Sequence, residues 1–153
     1  MTLPITKLPI SQLADKFVAD RLGALAAYRE QDIPRHNRWH DRARAAADEL
    51  LSRGEAGRAE IEKLMRHASP SVRVAAASYV LKWSPNEAVP VLEKILLWAD
   101  EDRTEGLFGE SLHVGQGASG LLSLHYRLNI LDVRNFVRAK HGLPPKIRSR
   151  EAL

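Results

Sequence analysis

At 153 residues, with 44% apolar and 27% charged side chains, the chain has the size and composition of one ordinary globular domain with room for a proper core. It contains no cysteine, which excludes disulfides, thiolate nucleophiles and cysteine-based zinc sites, and its net charge of +4 matters only where the cations cluster. No apolar run approaches the ~18 residues of a membrane helix, and Pro4, Lys7 and Pro9 interrupt the opening stretch where a secretory signal needs an unbroken apolar core. No membrane association and a cytoplasmic address are therefore expected.

Residues 1–10 read as an extended arm, because Pro4 and Pro9 oppose helix. Ser11 is a good N-cap for a long helix to about Gln31, with Leu13, Phe17, Leu22, Leu25 and Tyr28 as its apolar stripe. Gly23, midway along it, costs up to ~1 kcal/mol relative to alanine unless a neighbour packs closely there. Asp32-Ile33-Pro34 restarts the chain, and a second helix runs to about Arg53, where Gly54 stops it. Trp39, Ala43, Ala46, Ala47, Leu50 and Leu51 form its buried face, and Arg35, Arg38, Arg42 and Arg44 lie opposite. A third helix, about 58–67, buries Ile61, Leu64 and Met65.

The stretch from Ser69 to Trp98 reads as two amphipathic helices joined by a tight turn at Ser84-Pro85. Ser69 is placed to cap the first, and Pro70 at the first helical position has no N–H to leave unpaired. Val72, Ala75, Ala76, Tyr79, Val80 and Trp83 recur at spacings of three and four, as do Ala88, Val91, Leu92, Ile95 and Leu96 in the second helix. Glu87, three residues after Ser84, fits a capping box, and Pro90 should remove one backbone bond and bend the helix. One helical hairpin cannot bury both faces alone, so neighbours are required.

After Trp98 the composition changes. Asp100, Glu101, Asp102 and Glu105 form an acidic patch relieved by Arg103, and residues 106–120 hold five of the nine glycines, which reads as a long loop. A helical region returns over 121–131, Asp132 is placed to cap a last helix through Val133, Phe136, Val137 and His141, and Gly142-Leu143-Pro144-Pro145 ends it. The remainder, 146–153, reads as a loose basic tail. The expected fold is thus an all-α single domain over 11–145, of six to seven helices with one glycine-rich loop.

The order Pro70, Val72-Arg73, Ala75-Ala76, Leu81, then Ala88, Pro90, Leu92 resembles a HEAT-type helical repeat, which implies an α-α superhelix and carries no activity with it. A narrower likeness rests on Phe17, Tyr28, Asn37-Arg38-Trp39, Asp41, Glu49-Leu50, Val72-Arg73, Ala75-Ala76, Leu92-Glu93 and Ile95. These residues are similar to a small bacterial family, the domain of unknown function numbered two thousand and nineteen, over about residues 11–98. That resemblance implies an all-helical HEAT-like fold and supplies no catalytic residues.

Candidate chemistry is sparse. Gly115-Gln116-Gly117-Ala118-Ser119-Gly120 matches the dinucleotide fingerprint, which works only between a strand and a helix, and no strand precedes it. Gly109-Glu110-Ser111-Leu112-His113 begins like a hydrolase nucleophile elbow but has His113 where the second glycine belongs. His36 and His40 share a helix face, yet two ligands fall short of the three or four that zinc needs, and no third stands out. No catalytic, cofactor-binding or metal-ligating residue is therefore assigned. Trp39, Trp83 and Trp98 all fall on apolar stripes, Trp98 being the one expected at the surface.

The functional surface is expected among the cations. Arg35, Arg38, Arg42 and Arg44 line one helix face and suit carboxylates or phosphates, and Arg73 opens the repeat-like pair. From Val133 to Arg150 run six cations, Arg134, Arg138 and Lys140 among them, and no acid. The leading expectation is a non-enzymatic, HEAT-like module that binds a protein partner on its concave surface, with an adaptor or immunity-like role. The alternative is nucleic-acid binding through the arginine face and basic tail. A third reading, an enzyme, needs Ser111, His113 and His125 to converge.

Overall fold

The computed structural model describes residues 3–102 and 109–146. Among them the chain is all helical, with no strand: α1 (Ile10–Arg29), α2 (Ile33–Ser52), α3 (Glu55–Leu64), α4 (Pro70–Val80), α5 (Pro85–Glu101), α6 (Glu110–Tyr126) and α7 (Ile130–Lys140). Each helix packs on the next, and contacts of α1 with α4, α4 with α6 and α5 with α7 stack the helices in a superhelical arrangement. One apolar cluster takes members from every helix, from Leu13 on α1 through Leu50, Ile61, Val80, Leu92 and Leu122 to Val137 on α7. A second, smaller cluster of Phe17, Ala43, Ala46, Ala47, Val72 and Ala75 joins α1, α2 and α4.

The expected arm is more ordered than extended. Ile5–Lys7 form a short 3-10 turn, Ile5 and Leu8 pack on the core, and Arg53 donates to the carbonyls of Thr6 and Leu8 at 3.0 and 3.1 Å. Gly23 has the close neighbour its position requires, since a Cβ there would meet the Trp39 ring at 2.7 Å. On α1, Leu22 is exposed, while Asp20 and Arg21 are buried.

The glycine-rich loop is overturned. Residues 103–108 lie outside the described residues, but from Glu110 to Tyr126 the chain is one helix, with Gly115, Gly117 and Gly120 inside it. The reason is close approach. A Cβ at Gly115 would lie 2.8 Å from the Cβ of Ala99 on α5, and one at Gly117 would lie 3.4 Å from Val74 Cγ1 on α4. Glycine here lets α6 sink between two helices, and the tertiary contact outweighs the intrinsic cost of ~1 kcal/mol per glycine. The expected loose tail falls mostly on residues 147–153, outside the described residues; Lys146, its first residue, donates to the Asp100 carbonyl at 2.8 Å.

The helix starts also differ from expectation. Ser69 does not cap α4 with its own oxygen. Glu110, from α6, accepts from the Ser71 N–H at 3.1 Å and from the Ser69 hydroxyl at 3.0 Å, so a carboxylate from another helix holds the positive end of α4. Ser84 makes no side-chain cap, so the capping box with Glu87 does not form. Helix α7 begins earlier than expected: Asn129 accepts from the Asp132 N–H at 2.9 Å, and Asp132 sits three residues inside. Asp32 does cap α2, accepting from the Arg35 N–H at 3.0 Å.

Candidate functional site

Four helices leave an open cavity of about 370 Å³ between them. On α1, Phe17 and Arg21 are four apart and face the same way; on α2, His36, His40 and Arg44 repeat that spacing. Helix α4 contributes Val74, Ala75, Ser78 and Tyr79, and α6 contributes His113, Val114, Gln116 and Gly117. Phe17 and Tyr79 meet edge-on at 6.4 Å and form part of an apolar floor.

The imidazoles gather at one end. His113 lies 5.3 Å from His36 and 4.3 Å from Tyr28, ring centre to ring centre, and His36 lies 6.3 Å from His40. The sequence offered no third histidine beside His36 and His40; packing α6 against α2 supplies His113. His36 Nδ1 lies 2.8 Å from the Ala24 carbonyl, which can only accept, so Nδ1 carries the proton. Even so, among the described residues no group of three His, Asp or Glu side chains is placed to hold a metal ion.

Arg21 dominates the electrostatics. It is 8% exposed, its Nη2 lies at the long distance of 3.5 Å from Ser71 Oγ, and its Nε has no hydrogen-bond partner. It forms no ion pair with any carboxylate among the described residues, whereas neighbouring Asp20 is shared by Lys16 at 2.7 Å and Arg42 at 3.8 Å. Burial lowers the Arg21 pKa, but a guanidinium starts so high that it stays charged at neutral pH. The histidines respond. Burial, then the charges of Arg21, His36 and His40, push His113 down to about 4, and burial followed by Arg21 lowers His40. Tyr79 is raised, chiefly by burial and then by Asp48.

Most of the expected cationic surface is engaged within the chain. Arg35 pairs with Glu30 and lies 3.9 Å from Asp32, and Arg42 sits 4.5 Å over the Trp39 ring beside Asp20. Arg73 donates to the carbonyls of His67 and Ala68 at 2.8 and 2.9 Å, closing the turn that follows α3. Arg38 is exposed on α2, and exposed Arg44 reaches the cavity rim. The basic C-terminal run folds onto acids of α5: Arg134 on Asp100 at 3.2 Å, Arg138 on Glu101 at 3.1 Å, and Lys140 on Glu93 at 2.8 Å.

Glu93 is the best-partnered of these acids. It is 2% exposed and accepts from Lys140, from the Tyr126 hydroxyl at 2.7 Å and from His141 at 2.9 Å. Burial pushes its carboxyl up, but the three hydrogen bonds together outweigh that and hold it below the ordinary range. This cluster ties α7 to α5 and closes the far end of the molecule.

The other motifs do not assemble. Ser111 is buried near the start of α6, and His125 meets Tyr126 edge-on at 4.9 Å near its end. Fourteen residues of helix place them about 21 Å apart along the axis, too far for one constellation. The fingerprint glycines lie mid-helix in α6, where they can form no phosphate-binding turn. Sequence reasoning missed Arg21, Tyr28 and Tyr79 as site residues. The available signal was Arg21 itself, a charged residue four after Phe17 and four before Leu25 on an apolar stripe.

No helix of the described residues is long and apolar enough to cross a membrane. No curated protein and no solved structure matches the chain. Residues 12–101, which carry the α1, α2 and α4 walls of the cavity, match the family model described as domain of unknown function (DUF2019), and the chain belongs to that family.

Proposed function

We propose that this protein is a non-enzymatic, HEAT-like interaction module that holds a protein partner at the open face over α1, α2, α4 and α6. The observation that carries this reading is the cavity of about 370 Å³, with its apolar floor and its rim of arginine, glutamine and imidazole. Concave surfaces between stacked helices suit an inserted side chain or loop, and a few polar groups around an apolar floor orient it. An adaptor or immunity-like role fits such a surface.

The nucleic-acid alternative draws less support. Arg35, Arg42, Arg134, Arg138 and Lys140 each face a carboxylate of the same chain, which removes much of the positive field a phosphate backbone needs. A photo-crosslinking amino acid at Gln116, on the cavity rim, is expected to capture a defined protein in the native host. The same probe at Glu87, exposed on α5, is expected to capture none. Equal capture from both positions refutes the assignment of the face. Salt-sensitive micromolar binding to duplex or single-stranded DNA or RNA, lost with the Arg35, Arg38 and Arg42 alanine variants, refutes the protein-partner reading.

A further inference from the structure

We propose that the Arg21 cavity is a binding site for an oxyanion, a carboxylate or phosphate group held by the buried guanidinium. The inference rests on the cavity being the recognition centre, and it names the chemistry that the centre reads.

Three observations lead to it. Arg21 is 8% exposed and lines the cavity from α1, yet its Nε has no hydrogen-bond partner and its Nη2 only a 3.5 Å contact to Ser71 Oγ. A buried charge is costly unless another charge and good hydrogen bonds compensate it, and no carboxylate among the described residues pairs with this one. The planar fork of a guanidinium fits two oxygens of a carboxylate or phosphate, so the group that completes Arg21 has that geometry.

The surroundings have the matching sign. Arg44 stands at the rim as a second permanent cation, and the imidazoles of His36, His40 and His113 around the same cavity add hydrogen-bonding groups, His113 being neutral at pH 7. Two carboxylates close to Arg21 are turned to other work: neighbouring Asp20 serves Lys16 and Arg42, and Glu110, which shares Ser71 with Arg21, caps α4 and faces Arg29. The cavity is thus a positive, partly desolvated pocket, in which an anion gains more than it would in bulk water.

The oxyanion has two possible sources, an acidic side chain of the partner or a free small molecule, and the arms of one experiment separate them. The Arg21 Nε–H resonance of labelled protein is followed by NMR during titration with inorganic phosphate, with acetate, and with an acetylated hexapeptide of alternating Asp and Glu, against sodium chloride at equal ionic strength. The expected result is a saturable shift with phosphate or acetate that chloride does not give, together with a rise in the thermal midpoint of the wild-type protein. A peptide that binds at least about tenfold more tightly than the free ions identifies a protein carboxylate as the source. A peptide no tighter than phosphate identifies a free oxyanion.

Read by the anion-dependent rise in thermal midpoint, which both proteins report, Arg21→Gln is expected to weaken binding of whichever anion is tightest by at least about tenfold. Arg44→Gln, at the rim, should weaken it less. The proposal is overturned if no anion gives a saturable shift beyond that of chloride up to tens of millimolar, or if Arg21→Gln binds as the wild type does. Crosslinking from Gln116 that persists unchanged in Arg21→Gln while anion binding is absent refutes this inference and leaves the interaction face standing. Anion binding with no protein captured does the reverse.

Discussion

Replacing Arg21 by Met is expected to make the anion-free protein more stable. The substitution keeps an unbranched chain of similar reach in the space between α1 and α4 and removes the charge. Exchanging buried ionic groups for apolar ones of similar volume often stabilises a protein by about 1–4 kcal/mol. Arg21 retains slight exposure at 8% and one long contact to Ser71, so a gain of about 1–2 kcal/mol is expected. In a domain of this length that corresponds to a rise of roughly 3–6 °C in thermal midpoint. Urea unfolding, followed by tryptophan fluorescence at pH 7 in a buffer of low anion content, measures it directly. Added phosphate should then reverse the order, because a ligand at a hundredfold its Kd stabilises the wild type by about 2.7 kcal/mol and leaves Arg21→Met unaffected. A loss of 1 kcal/mol or more in Arg21→Met without anion would show that the fold itself compensates this guanidinium, and the charge argument would fail.

Other outcomes follow from particular contacts. The His113 imidazole is held down at about 4 in the fold and titrates near 6.5 when unfolded, so the unfolded chain takes the proton first. Its contribution to stability is full above pH 6.5 and is lost as the pH falls towards 4; allowing for solvent screening, the loss is about 2 kcal/mol, and His113→Phe should flatten that part of the profile in calorimetry. Around this end of the cavity stand Arg21 and Tyr28 of α1, His36, His40 and Arg44 of α2 and Tyr79 of α4, with Asp41 acting on His40 and Asp48 on Tyr79. Gly57→Ala should cost about 3 kcal/mol or more, because the new Cβ would fall 1.7 Å from the Leu50 carbonyl oxygen and backbone cannot rotate away. Gly120→Ala, with nothing within 4 Å of the new Cβ, should instead stabilise α6 by up to ~1 kcal/mol in chemical denaturation. Glu93→Gln weakens the bonds from Lys140 and His141 and should cost about 2 kcal/mol, with hydrogen exchange accelerating in α7 before the rest of the fold.

The helices up to Glu101 were legible because their signals are local. Apolar residues at spacings of three and four mark a buried stripe whatever it packs against, and Leu13, Phe17, Ala43, Leu50, Ile61, Val72, Val80, Leu92 and Leu96 are indeed buried. The restart of the chain at Asp32-Ile33-Pro34 was legible for the same reason, whereas the neighbour over Gly23, Trp39 of α2, came only with the packing of α1 on α2. Trp98, expected at the surface, is 39% exposed. The glycine-rich stretch misled because composition reports intrinsic cost alone. Whether glycine frees the backbone or admits a neighbour depends on helices α4 and α5, which lie earlier in the chain.

The charges divide in the same way. By itself the sequence determined the helical periods, the lack of thiol chemistry and the clustering of cations along α2 and α7. Only the tertiary structure decided which of those cations meet a carboxylate, because Arg134, Arg138 and Lys140 find Asp100, Glu101 and Glu93 from more than thirty residues away. It likewise decided that His113 joins His36 and His40, and that Arg21, with no carboxylate partner among the described residues, faces a cavity. Charge interactions depend on distance through space, which a single sequence encodes only through the packing of the apolar faces that bring distant helices together.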